Sequence, residues 1–275
     1  MKVLIAGAGI GGLTTALMLH ARGIPVQIYE TATEVREAGV GINILPHAIR
    51  ELETLGLLPE LDIVGLRTRR LTYYTRSGQE VWSELRGTYA GHEVPQFSIH
   101  RGRLQNLLYK AVLDRLGPEA VQTGRRLGGF VQQDRGVTAH FANSIDGSTG
   151  VTVRSDVLIC CDGIHSAGRK VFYPNEKSPS WNGVMMWRGA VDWPAWQDSE
   201  SMAIGGGLGG KFVLYPITQA KDGRQLMNWV VNVRVKDPAI SPPPANNWSR
   251  KVSLALVLPH ALRFNVPDFD IEGLI

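Results

Sequence analysis

Six residues near the amino terminus, Gly7-Ala8-Gly9-Ile10-Gly11-Gly12, restrict this chain more than any other stretch. They fit Gly-x-Gly-x-x-Gly, and their surroundings are those the pattern needs. Lys2 to Ala6 is a short apolar run of the kind that forms a strand. Leu13 to Ala21 is an amphipathic run compatible with a helix, and Arg22-Gly23 stops it. A second apolar run, Pro25 to Tyr29, then delivers Glu30. Each glycine has a physical task. Gly7 permits the tight strand-to-helix turn, Gly9 lets backbone approach a pyrophosphate, and Gly12 allows close helix–strand packing. The free N–H groups of the helix start receive the phosphate charge. Glu30 stands 18 residues beyond Gly12, where a carboxylate is expected to meet the ribose of an adenine dinucleotide.

The chain carries its own control. Gly205 to Gly210 also fits the glycine pattern, but the β-type run Lys211 to Tyr215 follows it and ends at Pro216. No helix begins there, so that segment is expected to be a glycine-rich hairpin connection without a phosphate site.

Composition narrows the function classes. Charged residues make up 20% and hydrophobic ones 44%, as in ordinary globular enzymes, and the net charge is only +4. The basic residues are scattered, so nucleic acid is not an expected partner; a diffuse positive field suits anionic cofactors or an aromatic acid. No window of about 18 apolar residues exists, so no membrane span is expected. Lys2 and the apolar residues after it resemble a signal peptide only until the glycines interrupt them, and secretion is not expected. The two cysteines, Cys160 and Cys161, are neighbours and suit a reduced, cytoplasmic interior as small buried side chains. No histidine pair has metal-ligand spacing, so no metal is expected.

Along the chain, Thr31 to Ala38 is polar, and Pro46 to Gly56 reads as a helix opened by proline and closed by glycine. Leu71 to Thr75 and Glu80 to Ser83 alternate around Ser77-Gly78, a hairpin signal. Arg103 to Leu116 is strongly helical, and two strand-like runs flank the turn-prone Asn143 to Gly150. Asp156 to Cys161 is almost continuously apolar, which suits a strand buried on both faces. From Trp181 the character changes to strand-like runs rich in tryptophan and methionine: Val184 to Trp187, Lys211 to Tyr215 and Leu226 to Val233. Pro242 to Pro244 marks a break before a helix expected over Asn247 to Leu258.

A second constellation follows the apolar run at Asp156: Cys161-Asp162-Gly163-Ile164-His165-Ser166, with Arg169. A strand ending in Asp-Gly sets a carboxylate at the carboxyl edge of a sheet, where open α/β sheets bind ligands. Equally, it is a strand–turn–helix junction with a capping aspartate.

With Ser98-Ile99-His100-Arg101 and Leu104-Gln105, these motifs resemble the group A flavoprotein monooxygenases, aromatic hydroxylases that share the para-hydroxybenzoate hydroxylase fold. The resemblance runs along essentially all 275 residues. Gly39 to Ile44, Val81 to Glu84, Phe97 to Gly102 and Met186 to Gly189 resemble the members that act on phenazine carboxylates. The implied fold is α/β (α+β): a Rossmann-like FAD-binding domain interleaved with a mainly antiparallel β-sheet substrate domain, with the C-terminal part of the family fold missing. The expected division is 1–70 and 98–178 for the FAD domain, 71–97 for a substrate-domain hairpin, and 179–275 for the substrate sheet.

The resemblance implies FAD as cofactor and NADH or NADPH as transient co-substrate. It places Gly11, Glu30 and Thr31 at the adenosine and pyrophosphate, and Asn43 near the flavin side. Arg101 and Gln105 would contact the pyrophosphate and ribityl region, Leu127 the adenine end, and Asp162 both FAD and nicotinamide. The implied chemistry is reduction of FAD, addition of O2 at flavin C4a, and attack of the hydroperoxide on an aromatic ring. No protein side chain is then expected to be the catalyst, because the cofactor carries the chemistry. Met186, Trp187, Tyr215 and Trp229 are candidate walls of a dry aromatic pocket, against the competing reading that they are core. Halogenases of this fold carry Trp-x-Trp-x-Ile-Pro, and Trp193-Pro194-Ala195-Trp196 does not match it. Family members also carry a later Gly-Asp motif, and the sequence ends at Ile275 before it. The alternatives are therefore a truncated FAD-binding protein with weak flavin retention and little or no hydroxylation, or another flavin-dependent oxidoreductase.

Overall fold

Strand β1 (Val3–Ala6) is buried at all four positions because it lies between two parallel neighbours. These are β2 (Val26–Tyr29) and β12 (Val157–Cys160), in register Val3 with Val26 and Val3 with Val157. The structure, a computed structural model, describes residues 1–35, 37, 39–148, 150–177, 181–234 and 251–275. Elements are numbered along the chain, which divides into two units.

The first unit comprises Met1–Glu37 and Gly102–Ser178. Its four-stranded parallel sheet runs β12-β1-β2-β8, with β8 at Val121–Gln122. Helix α1 (Ile10–His20) makes the crossover from β1 to β2 and buries Leu13, Ala16 and Leu17, the spacing of one helical face. Helix α4 (Arg101–Leu116) buries Leu104, Leu108, Ala111 and Val112 on the same principle. An antiparallel sheet of β9 (Arg125–Gln133), β10 (Gly136–Asn143) and β11 (Val151–Ser155) shares a core of Leu4, Ala6, Leu127, Ala139 and Phe141. Tyr29 stacks on Phe141 with ring centres 4.1 Å apart. Helix α5 (Ala167–Phe172) follows β12.

One expectation fails here. β12 was expected to be buried on both faces, but it is the edge strand, and Val157 and Cys160 are exposed. An apolar run alone does not reveal position in a sheet. Cys160 and Cys161 are both free, and neither is fully buried as expected.

The second unit comprises Ala38–Arg101 and Pro179–Ile275. Its six-stranded sheet runs β13 (Val184–Pro194), β16 (Arg224–Arg234), β15 (Gly210–Pro216), β14 (Ser201–Gly207), β5 (Arg70–Tyr74) and β6 (Glu80–Leu85). Every neighbouring pair is antiparallel except β14 with β5. Both expected hairpins are present, β5–β6 around Ser77-Gly78 and β14–β15 closed by Gly207 opposite Gly210. Alternation along the strands gives the sheet two different faces. One carries Phe212, Leu214, Met227, Trp229, Val231 and Val233 against α6 (Leu254–Ala261) and α7 (Ile271–Leu274). The other carries Leu71, Met202, Tyr215 and Ile217. A three-stranded sheet, β3 (Gly41–Ile44), β7 (Phe97–His100) and β4 (Gly65–Arg67), completes the unit with α2 (Pro46–Thr54) and α3 (Leu58–Val64).

Strands β3 and β4 both pair with β7, and all three lie within the second unit. Pro242 to Pro244 and the start of the helix expected at Asn247 lie outside the described residues. The helix described nearby is α6, whose start is capped by the Ser253 hydroxyl. Among the described residues, no helix is long and apolar enough to cross a membrane.

Candidate functional site

The turn after β1 is shaped by two contacts that only glycine allows. Gly7 has φ +104°, and a methyl group there would lie 2.3 Å from the Cys161 carbonyl oxygen. A methyl on Gly12 would lie 1.9 Å from the Gly7 carbonyl oxygen, so the helix start presses directly on the turn. Gly9 and Gly11 differ in kind. A side-chain carbon on either would meet nothing within 4 Å, so this side of the turn is bare backbone facing open space. Gly9 caps α1 without any side-chain hydrogen bond, and the first turn holds no acidic residue. The first amides of the helix therefore keep their N–H groups and the positive end of the helix dipole for an anion.

Glu30 turns back onto this loop. Its Oε2 accepts from the Ala8 N–H at 2.6 Å, and its Oε1 accepts from the Ala32 N–H at 2.7 Å. Gln105 reaches the same residue, its Nε2 donating to the Ala8 carbonyl at 2.9 Å. Ala8 is thus held at both ends, a link from Gln105 to Glu30 that the sequence pattern does not display. An ionised carboxylate accepts about four hydrogen bonds, so Glu30 retains lone pairs for sugar hydroxyls. Thr31 is exposed beside it. Leu127 is only 4% exposed and belongs to the core, so its side chain is occupied by protein packing.

Asp162 stands at the carboxyl end of β12, next to the turn after β1. Its Oδ2 accepts from the N–H groups of Ala167 (2.7 Å) and Gly168 (3.2 Å), while Ser166 Oγ accepts from the Arg169 N–H at 2.9 Å. The capping role is real, yet it uses only one oxygen. Asp162 Oδ1 is buried without a hydrogen-bond partner, a position that calls for a donor. Arg169 forms an exposed two-point ion pair with Glu176. Partial burial, then the Asp162 and Cys161 charges, push the Cys160 thiol up to about 11, so it stays protonated and unreactive at neutral pH. Among the described residues no group of three His, Cys, Asp or Glu side chains is placed to share a metal ion.

In the second unit, Asn43 on β3 is the hub of a polar network. Its Oδ1 accepts from Ser98 Oγ (2.9 Å) and Gln96 Nε2 (3.4 Å), and it shares a hydrogen bond with the Tyr215 hydroxyl. Ser98 in turn bonds Thr68 at 2.7 Å. Two residues earlier, the Gly41 N–H donates to Asn228 Oδ1 at 2.7 Å, and a methyl on Gly41 would lie 2.7 Å from the Asn228 Cγ. Strand β3 is therefore pinned to the β15–β16 pair through two side chains, Tyr215 and Asn228. Sequence reasoning missed Asn228 because nothing local distinguishes an asparagine within a strand. Arg101 opens α4, its aliphatic stem 3.4 Å from where a Gly39 side chain would begin.

Burial pushes the Tyr215 hydroxyl up to about 12, against the opposing pull of the Arg188 charge and the Asn43 hydrogen bond. The folded value exceeds the ordinary one near 10, so stability from this group is complete below pH 10 and is lost as pH rises through about 12. Chemical unfolding across that range should show stability falling with pH, and Tyr215→Phe should remove part of the slope. An unchanged slope in the variant would show the titration lies elsewhere.

The four candidate pocket walls do not form one group. Tyr215 pairs with Asn228, and Met186 with Asn232, so both lie on the face that receives β3. Trp187 and Trp229 lie on the opposite face, beneath α6 and α7, where Trp187 stacks on His260 at 5.2 Å. The strand period of two separates them, and no single pocket can hold all four.

A family model described as "FAD binding domain" matches residues 1–237, and a relative 38% identical covers 99% of the chain. The chain belongs to the FAD-dependent aromatic monooxygenase family. That relative is the phenazine 1,6-dicarboxylic acid hydroxylase PhzS of Lysobacter antibioticus, aligned over 277 residues and matched over 68% of its own length. Aurachin C monooxygenase/isomerase of Stigmatella aurantiaca is 30% identical over 80% of this chain and 55% of its own. The 3-amino-4-hydroxybenzoate 2-monooxygenase of Streptomyces cremeus is 28% identical over 79% of this chain and 54% of its own. The chain thus spans between about half and two thirds of the curated relatives it matches. The crystal structure of Klebsiella pneumoniae HpxO with FAD and uric acid superimposes with a TM-score of 0.74 at 24% identity, covering all of this chain and 64% of that one, and shows the shared fold. The monooxygenase family's cofactor is FAD, and the first unit fits it: bare amides for a diphosphate, free carboxylate lone pairs for sugar hydroxyls, and an unpartnered Asp162 oxygen.

Proposed function

We propose that this protein hydroxylates an aromatic carboxylic acid, using FAD, NADH or NADPH, and O2. The observation that carries the reading is the bare helix start at Gly9 to Gly12, set between the Glu30 and Asp162 carboxylates. When bound, FAD supplies the transfer of electrons from the nicotinamide to oxygen. The chain's own residues bind and orient. The amides of Gly9, Gly11 and Gly12 neutralise the diphosphate, with the Arg101 cation in support. Glu30 accepts from the ribose beside Thr31, and Asp162 Oδ1 accepts from a cofactor hydroxyl. The main chain at Leu127 borders the adenine. Asn43, its side-chain oxygen committed to Ser98 and Gln96, sets β3 in place for the flavin. The face bearing Met186 and Tyr215 offers the substrate a floor, on which Tyr215 keeps its hydroxyl proton throughout the physiological range. Trp187 and Trp229 shape that floor only from behind. The free thiols of Cys160 and Cys161 suit the reducing cytoplasm. The aromatic acid is inferred from relatives that act on phenazine dicarboxylate and aminohydroxybenzoate.

The test is oxygen consumption by the FAD-loaded protein with NADH or NADPH and a panel of aromatic acids. At least one acid should accelerate oxygen uptake and yield a product heavier by one oxygen atom. Full flavin loading with no acid-stimulated uptake would overturn the reading.

A further inference from the structure

A cavity of about 400 Å³ lies wholly within the second unit, between the start of α2 and the segment after β6. We infer that this cavity is a binding site for an aromatic carboxylate, with Arg50, Arg86, His47 and His92 facing the acid group and Leu45 and Leu85 facing the ring. The volume suits a small organic ligand. None of its lining side chains is acidic. Another cavity of the unit, of about 350 Å³, is lined by Asp62, Asp198 and Glu200 with Arg67, so an excess of basic side chains is not shared by every cavity of the unit.

The basic side chains are placed by separate elements. His47 and Arg50 are three residues apart on α2, the spacing that puts two side chains on one helix face. Arg86 is fixed in the wall: its Nε donates to Gln96 Oε1 at 2.9 Å, and its guanidinium also pairs with Glu84. Gln96 is itself 2% exposed and anchored to Asn43, so Arg86 has a rigid support. The chain can turn at this wall because Gly87 has φ +52°, and a methyl there would lie 2.3 Å from the Gln96 nitrogen. Arg50 pairs with Glu93 at 3.5 Å, with both side chains largely exposed. Such a pair contributes little in water, and an enclosed carboxylate can displace it. A guanidinium matches a carboxylate through two parallel hydrogen bonds.

The cavity lining also includes apolar side chains. Leu45 and Leu85 are 38% and 40% exposed, two large side chains that a flat ring would cover. Phosphate alone leaves that surface wet, whereas an aromatic acid satisfies both kinds of side chain. The inference rests on the proposed function only for what happens to the bound acid.

Calorimetric titration of the FAD-loaded protein tests it with four probes: benzoate, phenazine-1-carboxylate, the methyl ester of the latter, and inorganic phosphate. The two acids should bind, and the ester and phosphate should not. Arg50→Gln should weaken acid binding about 10-fold, the loss of one charged hydrogen bond, and adding His92→Asn should weaken it further. Leu85→Glu, which sets a like charge in the cavity, should remove this binding step while leaving acid binding at the Met186 and Tyr215 face. Flavin affinity and the thermal midpoint should be unchanged in all three variants. Equal acid affinity in wild type and variants, phosphate binding as tight as the acids, or no acid binding at all would overturn the site. Acid binding that responds to these variants without any hydroxylation would leave the site standing and defeat the proposed function.

Discussion

Gly9→Val should leave the protein folded and strip it of flavin. Gly9 has φ −72° and ψ 178°, an extended conformation that valine adopts readily, and a side-chain carbon there meets nothing within 4 Å. No strain and no clash are introduced, so the thermal midpoint should move little. The branched side chain would instead fill the open space over the first amides of α1, where the diphosphate must approach to be bound. Losing two charge-assisted hydrogen bonds corresponds to about 3 kcal/mol or more, hence about 100-fold weaker FAD binding. Gly12→Val is the contrasting variant. Its first carbon would fall 1.9 Å from the Gly7 carbonyl oxygen, so it should unfold the first unit as well as abolish binding. Flavin fluorescence titration beside circular-dichroism melting distinguishes the two. If Gly9→Val bound FAD as tightly as wild type, the diphosphate would have to lie elsewhere.

The contrast shows which parts of the site were legible in the sequence. Gly7, Gly9, Gly12 and Glu30 could be read because their expected roles depend on local backbone geometry at fixed spacing: Gly7 has the left-handed φ of a tight turn, and Gly12 presses directly on it. The clamp on Ala8 could not. Gln105 lies 97 positions away, and only the folded chain brings its amide to that carbonyl. Asn228 was hidden for the same reason, since its partner Gly41 is 187 positions distant. Hairpins were visible from alternation and glycine, as at β5–β6 and β14–β15. Strand β12 was misjudged because its apolar composition carries no mark of its edge position. The pairing of β3 and β4 with β7 was not legible either, because it joins segments 30 or more positions apart. The same limit applied to the aromatics. Composition announced a tryptophan-rich sheet, but which face each side chain takes depends on register.

That register sets up the largest effect on stability. Trp229→Ala should destabilise the protein by about 3–5 kcal/mol, the range for deleting a buried aromatic side chain. Trp229 is 9% exposed within the core beneath α6 and α7, and its indole lies 2.8 Å from where a Gly189 side chain would begin. Gly189 is the cross-strand partner of Trp229, so the ring occupies the space its neighbour leaves free. Removing it opens a cavity between strands that cannot close without moving the sheet. Met186, three residues before Gly189, points to the other face and is 54% exposed. Met186→Ala therefore removes little buried surface and should change stability by under about 1 kcal/mol, while raising KM for the aromatic acid. Denaturant unfolding and steady-state kinetics on the two variants separate core from site. Comparable destabilisation by both substitutions would mean that the two faces of this sheet are not the distinct surfaces its alternation implies, and the floor assigned to the substrate would have to be redrawn.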